Sequence, residues 1–421
     1  MSASSPPAAA PPLPLAPRRA MAGAGPLRLL TFSTLFPNAG QPNHGVFVEN
    51  RLRHLVATEQ ATSTVLAPIP WFPSASPRFG AWGQYARADR VETRHGLLVH
   101  HPRYPVIPKV GTAAAPMLLY VAARRALRRL VAAGLEFDLI DAHYLYPDGV
   151  AATWLGRRFG KPVVVTARGS DVTQLPDDPV PRRLIQRAMA EADALISVSA
   201  GLKEAMVRLG APAEKVTVLR NGVDLRVFRP VDREASRRAL GVAGKVLLSV
   251  GHLIERKGHH RVIEALQGLP GWTLLIAGEG PERERLHALA VRTGVEGRVR
   301  LLGARPHDEL AALYSAADAL VLASSREGWA NVLLEAMACG TPVVASPIPG
   351  NPEVVRAPAA GVIMPENTPH GVVAGVRALE AAPPAREATR AYAEGFGWEE
   401  TSAGQLAVFR RVLGLAERRA G

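Results

Sequence analysis

Short apolar runs occur along this chain in two series separated by a polar break. The first series is 27–32, 64–67, 97–100, 139–142, 162–166, 194–198 and 216–219; the second is 246–250, 272–277, 299–302, 319–322, 342–345 and 361–364. Most are rich in Val, Leu and Ile without strict alternation, the pattern of strands buried on both faces of a parallel sheet. The segments between them, such as 181–192, 282–293 and 308–317, space their apolar residues as helices do. This alternation predicts an α/β fold of two facing, doubly wound, Rossmann-like domains. The break falls around 229–244, after the turn signal Asn221-Gly222-Val223-Asp224 and at Pro230, and divides a first domain, 27–229, from a second, 230–397. Beyond Trp398, Leu406, Phe409, Val412 and Leu413 recur at three- and four-residue spacing and predict one further amphipathic helix. Two facing sheets leave an interdomain cleft between their carboxyl ends, where such folds bind ligands.

The 421 residues, 48% hydrophobic and 21% charged, are globular in composition. No uninterrupted apolar window reaches about 18 residues, so no membrane-spanning helix is expected. Residues 1–26 are rich in Ala, Pro and Ser with one Arg pair, Arg18 and Arg19, and Pro11, Pro12, Pro14 and Pro17 break any signal-like apolar core; a disordered tail is expected, or a true start at Met21. Cys339 is the one cysteine, which fits a reducing, cytoplasmic setting, and its neighbours predict a small buried residue. The net charge of +13 comes from Arg distributed along the chain with no long Lys/Arg block. Without zinc-finger spacing or an aromatic strand motif, no nucleic-acid partner is expected.

The strongest chemical constellation is Ser324-Ser325-Arg326-Glu327-Gly328-Trp329-Ala330-Asn331. A buried strand runs into this loop, and a helix is expected from Asn331 to near Gly340. Gly328 lets backbone approach a ligand, and a helix start favours an anion. Glu335 falls one turn after Asn331, where a carboxylate suits sugar hydroxyls. The segment Gly251-His252-Leu253-Ile254-Glu255-Arg256-Lys257-Gly258 offers two adjacent cations, one able to grip phosphate bidentately and one a point charge. Gly278-Glu279-Gly280-Pro281 makes a glycine-rich turn from strand to helix. Each signal is weak alone. In this order on one doubly wound domain, they gather at one sheet edge.

With these motifs the second half resembles the donor domain of the family 4 glycosyltransferases, which have the two-domain GT-B fold. The matching pieces are the Arg256-Lys257-Gly258 turn, the Gly278-Glu279-Gly280-Pro281-Glu282 turn and Ala317-Asp318 before a strand. Further matches are Glu327 and Glu335 separated by seven residues, the run from Glu335 to Ser346, and Pro349-Gly350-Asn351-Pro352-Glu353-Val354-Val355. The resemblance runs from about Leu27 to the C-terminal helix. It implies that Arg256 and Lys257 hold the donor diphosphate, and that backbone through Gly328, Ala330, Asn331 and Val332 meets the phosphate or the sugar. Glu327 would contact the transferred sugar, Glu335 the ribose and Arg305 the base, with Gly278, Glu279 and Gly280 in the same site. His252 stands where many relatives carry Arg, and Gly328-Trp329-Ala330 where many have Gly-Phe-Gly. The resemblance also implies that the C-terminal segment, 398–421, returns to the first domain.

The first domain is less legible. Its opening strand runs into a polar loop, Phe36 to Glu49, in which Gly45 is the candidate for close approach to the acceptor. Asp141-Ala142-His143 and Ala167-Arg168-Gly169-Ser170-Asp171 end buried strands at the expected cleft. Many relatives carry His at the position of Arg168. Arg cannot act as a base near neutral pH, so Arg168 is assigned to electrostatic stabilisation of the leaving diphosphate. His143 and Asp171 are the candidates for acceptor contact or proton transfer. The chain contains no Asp-x-Asp, and His259 and His260 are adjacent, a poor metal pair; no metal and no cofactor are expected. On a helical segment from Met117, Arg124 and Arg128 share one face, as do Arg125 and Arg129, which makes an anionic membrane surface a candidate partner.

With the resemblance, which implies a retaining transfer, the reading is a metal-independent glycosyltransferase of hexosyltransferase type. It would move a sugar from a nucleotide-sugar donor to a glycan or lipid-linked acceptor in bacterial envelope or exopolysaccharide synthesis, at the inner face of the cytoplasmic membrane. The competing readings are a GT-B nucleotide-sugar epimerase and a non-catalytic sugar-nucleotide-binding protein.

Overall fold

The computed structural model describes residues 25–106, 111–307 and 309–415. The expected tail lies outside these except for its last two positions, and so do the final six residues of the chain. In chain order the strands are β1 (Leu27–Phe32), β2 (Ala61–Leu66), β3 (Ile69–Pro70), β4 (Val91–Arg94), β5 (Leu97–His100), β6 (Arg103–Tyr104), β7 (Leu139–His143), β8 (Val163–Ala167), β9 (Ala194–Ser197) and β10 (Val216–Val218). The second half contributes β11 (Lys245–Val250), β12 (Trp272–Ala277), β13 (Val299–Gly303), β14 (Ala319–Leu322), β15 (Val343–Ala345) and β16 (Gly361–Ile363).

One sheet runs β10-β9-β8-β7-β1-β2-β5-β4 and the other β13-β12-β11-β14-β15-β16. Apart from the antiparallel pair β4–β5, neighbours in both are parallel. Every residue of β7, β8, β9 and β14 is buried, because helices cover both faces, and this is why these strands read as continuous apolar runs. Strand order reverses between β1 and β7 and again between β11 and β14. Loops leaving neighbouring strands there depart to opposite faces and open a crevice at the carboxyl ends.

β4 has no apolar run, and the apolar pattern does not predict it. It is an edge strand whose residues alternate between exposed and half-buried. It folds back on β5 through His95 and Gly96, both at positive φ, as a two-residue hairpin turn requires. Among the described residues no helix is long and apolar enough to cross a membrane.

The C-terminal helix, Glu399–Val412, lies on the first domain. Leu406, Val408 and Phe409 pack in one cluster with Val48, Leu52 and Leu55 of the helix Val46–Val56. Val408 takes the inward place that spacing assigns to Val412 and Leu413, which are only partly buried. The contact also has a polar seam. Arg51 is fully buried and donates from Nε to Gln405 Oε1 at 2.9 Å, while Gln405 Nε2 donates to Asp141 Oδ2 at 3.0 Å. Trp398 stacks on His54 with centroids 5.2 Å apart. Truncating a fully buried aromatic leaves a cavity that the surroundings fill only in part, so Phe409→Ala should lower unfolding free energy by about 3–5 kcal/mol. Urea denaturation measures this; a loss under roughly 1 kcal/mol would show that the helix does not seal the first domain.

Candidate active site

Loops from both sheets enclose a cavity of about 750 Å³ between the domains. The floor on the second-domain side is the turn after β11. Lys257 Nζ donates to Glu327 Oε1 at 2.6 Å, and Arg256 Nη1 lies 3.6 Å from Glu327 Oε2. Burial pushes the Glu327 carboxyl up, but Lys257 and then Arg256 outweigh it and hold it below the ordinary value. Both cations are thus kept in place by a carboxylate while they face the cleft.

The rest of the donor-side set gathers around them. Gly278, Glu279, Arg305, Gly328, Ala330, Asn331, Val332 and Glu335 all line the cavity. Gly280 does not: it packs against the Leu253 backbone, where a Cβ would come within 2.4 Å of the carbonyl oxygen. Glu335 accepts from Tyr314 Oη at 2.8 Å, which fixes its carboxylate at the cavity edge. The helix Asn331–Ala338 starts beside the cleft, and Asn331 Oδ1 accepts from Asn221 Nδ2 at 3.2 Å. Cys339, just past that helix, is fully buried, and burial followed by Glu335 pushes its thiol up to about 12. Among the described residues no group of three or more His, Cys, Asp or Glu side chains is placed to hold a metal ion.

The structure places the acceptor-side candidates at different depths. Arg168 lines the cavity, but His143 and Asp171 are buried behind it. Arg168 Nη2 donates to His143 Nδ1 at 2.6 Å; since Arg only donates, the imidazole proton sits on Nε2, 3.2 Å from Asp141 Oδ2. Burial pushes His143 down to about 4, so it is neutral near pH 7 with both nitrogens engaged. Buried behind the cavity wall, it braces the Arg168 guanidinium. Arg168 Nη1 also donates to Asn221 Oδ1 at 3.2 Å. Burial, and next the like charge of Arg51, lower Arg168 to about 9, which leaves it cationic at neutral pH. Asp171 accepts from the backbone N–H groups of Leu145, Arg168 and Gly169, at 2.8, 3.1 and 2.7 Å, and so ties the β7 and β8 loops together. Gly45 is buried beside the cavity without lining it. It caps the helix Val46–Val56 at φ 72°, where a Cβ would meet the Leu35 carbonyl carbon at 2.3 Å. Its neighbour His44 does line the cavity, with Nε2 3.2 Å from Thr34 O.

Four contacts hold the domains together across the cleft mouth, and sequence reasoning missed them. Glu353 reaches from the second domain to the start of the first-domain helix Ala200–Arg208. There it accepts from the N–H groups of Ala200 and Gly201, both at 3.0 Å, and from Arg220 Nη2 at 2.7 Å. Burial pushes Glu353 up, but the helix-start N–H groups and Arg220 together hold it below the ordinary value. Arg326 Nη1 donates to Thr173 O at 3.2 Å. Gly328 touches Arg168 so closely that a Cβ would fall 1.9 Å from its carbonyl oxygen. The fourth contact is Asn221–Asn331. Asn221 was legible only as a turn residue and Glu353 only as a motif letter, because their partners lie in the other domain.

Two family models match the chain: "Glycosyltransferase Family 4" over residues 51–227 and "Glycosyl transferases group 1" over residues 232–396. The D-inositol 3-phosphate glycosyltransferases of Mycobacterium tuberculosis and Mycobacterium bovis are 34% identical over 305 residues, which is 66% of this chain and 62% of theirs. Among solved structures, sucrose-phosphate synthase from Thermosynechococcus elongatus superposes with a TM-score of 0.75 at 20% identity, over 92% of this chain and 99% of that one. Anabaena HepE in complex with UDP-glucose gives 0.69 at 22% identity, over 90% and 99%. These two likenesses establish the GT-B fold.

Two outcomes follow from the geometry. Lys257→Ala should weaken nucleoside diphosphate binding by about 1.5–3 kcal/mol, the scale for hydrogen bonds to charged groups; unchanged affinity in calorimetry would remove Lys257 from the site. Glu353 has a depressed pKa, so its hold on the first domain is complete above the ordinary carboxylate range and is lost as pH falls through that lowered value. Glu353→Gln should open the cleft at neutral pH, seen as a larger radius of gyration in small-angle scattering, and an unchanged radius would show that the contact does not hold the domains closed.

Proposed function

Since the chain belongs to glycosyltransferase family 4, we propose that it is a retaining glycosyltransferase that moves a hexose from a nucleotide-diphosphate sugar to an acceptor hydroxyl. The observation that carries this reading is the pair Arg256 and Lys257, poised with Glu327 on glycine-flanked loops at the cleft between two doubly wound domains. The chain spans 62% of the length of its curated relatives, and one solved neighbour, Anabaena HepE, was captured with UDP and with UDP-glucose. A UDP-sugar is accordingly the first donor to test.

In this reading the donor diphosphate takes over Lys257 and Arg256 from Glu327. Glu327 is then free to accept hydrogen bonds from the sugar's hydroxyls, and Glu335, fixed by Tyr314, receives those of the ribose. The bond from the anomeric carbon to the diphosphate oxygen breaks as the acceptor oxygen bonds to the same face, and the acceptor's proton passes to the leaving diphosphate. The negative charge that develops there is met by Lys257, Arg256, Arg168 and the start of the helix Asn331–Ala338. With these charges supplied by the protein, we propose that the chemical step needs no divalent metal. The acceptor is a glycan or lipid-linked sugar of bacterial envelope or exopolysaccharide synthesis, presented at the cytoplasmic face of the membrane. The basic face of the helix Gly111–Ala132 would attract anionic lipid there.

Incubation with UDP-sugars and candidate acceptors, followed by mass detection of the glycoside, tests the reading; free sugar or an epimer formed without acceptor would replace it. Glu327→Gln should chiefly lower kcat and Glu335→Gln chiefly raise KM for the donor, because contacts made only in the transition state show in turnover and uniform ones in KM. Wild-type kcat in Glu327→Gln would defeat the sugar assignment. Excess chelator should leave transfer intact, and a strict Mg²⁺ requirement would contradict metal independence.

A further inference from the structure

The absence of basic runs hides an uneven distribution of charge. Residues 67–135 hold ten Arg and Lys against two carboxylates, Asp89 and Glu92, which is a surplus of eight out of the chain's net +13. The same stretch carries nine of the thirteen large apolar side chains that the described residues leave exposed. Neither excess belongs to the donor site.

Two elements make up this face. One is an aromatic cluster next to the cleft. Trp71 is 56% and Trp82 40% exposed, and Phe79 is also exposed. Phe72 lies 5.2 Å from Phe79 and 5.7 Å from Trp82, and Trp82 lies 5.8 Å from Tyr85, so the rings form one continuous patch. Arg78 sits over the Phe79 ring at 4.8 Å. The other element is the helix Gly111–Ala132, where Arg124, Arg125, Arg128 and Arg129 line a surface groove of about 570 Å³ with the exposed Val121. β3 and β6 join the two: Trp71 N donates to Tyr104 O at 2.7 Å, and β6 packs against the helix.

We propose that this face docks on a bilayer containing anionic lipid, with the aromatic cluster as the element that inserts. The proposal rests on the membrane setting proposed above and adds its anchor. Indole rings favour the boundary between headgroups and hydrocarbon, where the apolar body is buried and the N–H stays wet. Arg94 is engaged by Glu49 and Arg103 by backbone carbonyls, but Arg124, Arg125, Arg128 and Arg129 have no ion pair among the described residues and draw the face to anionic headgroups. Charge complementarity therefore selects the lipid, and the exposed rings supply what charge alone lacks, a reason to stay bound. The position serves the cleft. The short helix Ala81–Arg87, which carries Trp82 and Tyr85, also turns Gln84 to the cleft wall, 3.5 Å from Gln41. Insertion of Trp82 places the cleft mouth at the lipid surface, where an acceptor on a lipid carrier can enter without leaving the bilayer.

Sedimentation with vesicles of phosphatidylcholine, alone or mixed with phosphatidylglycerol, tests the proposal on the full chain. The expected result is binding to the anionic vesicles alone, weakened by salt. Trp71 and Trp82 are the exposed ones among the chain's six tryptophans, so binding should blue-shift the emission, and brominated lipid should quench it. Trp71→Ser with Trp82→Ser should lower vesicle affinity about tenfold with unchanged melting temperature and unchanged nucleoside diphosphate binding. Replacing the four helix arginines by Gln should abolish vesicle binding. If the Gln variant loses binding while the Trp variant keeps it, and no quenching occurs, the anchor is refuted and the basic helix stands. If the wild type ignores anionic vesicles, both fall, and the transferase assignment is untouched.

Discussion

Lys257 and Arg256 meet the Glu327 carboxylate inside a largely buried loop junction, and the proposed chemistry of the cleft depends on that ion pair. Two adjacent cations, one of them largely buried, are costly to keep without a counter-charge. Glu327 supplies one from the opposite loop and so fixes the β11 turn against the β14 loop before any ligand arrives. An incoming diphosphate offers the same charge with more oxygens. In the proposed reaction, exchange of one anion for the other would cost little desolvation and would turn Glu327 from a counter-ion into a sugar contact.

The exchange is useful only if the first domain closes over it. Glu353 caps the helix Ala200–Arg208 from across the cleft, Gly328 abuts Arg168, and Asn221 bridges Arg168 to Asn331. Behind them a buried polar chain runs from Gln405 through Asp141 and His143 to Arg168. The C-terminal helix, which comes last in sequence, therefore helps set the guanidinium at the cleft wall. It ties the end of the second domain's chain to the floor of the first.

The donor side was legible because its chemistry is local. A buried strand, a glycine turn and a helix start recur within about a dozen residues, and their spacing survives in the sequence. Almost every donor-side residue that the resemblance implied lines the cavity; Gly280 does not, because the Leu253 backbone occupies the space. The acceptor side was not legible. His143 and Asp171 end strands as cleft residues do, but Arg51 and Gln405, hundreds of positions apart, complete the network that buries His143. Strand β4 escaped notice because an edge strand needs no apolar run. Glu353 was visible as a motif letter without a role, since the helix start it caps belongs to the other domain.

The most direct test is a crystal structure with a nucleoside diphosphate bound, the base being chosen by thermal-shift screening. The account predicts that Lys257 Nζ leaves Glu327 for a phosphate oxygen and that Glu327 turns toward the position of the sugar. An intact Lys257–Glu327 pair, with the diphosphate bound elsewhere, would contradict it.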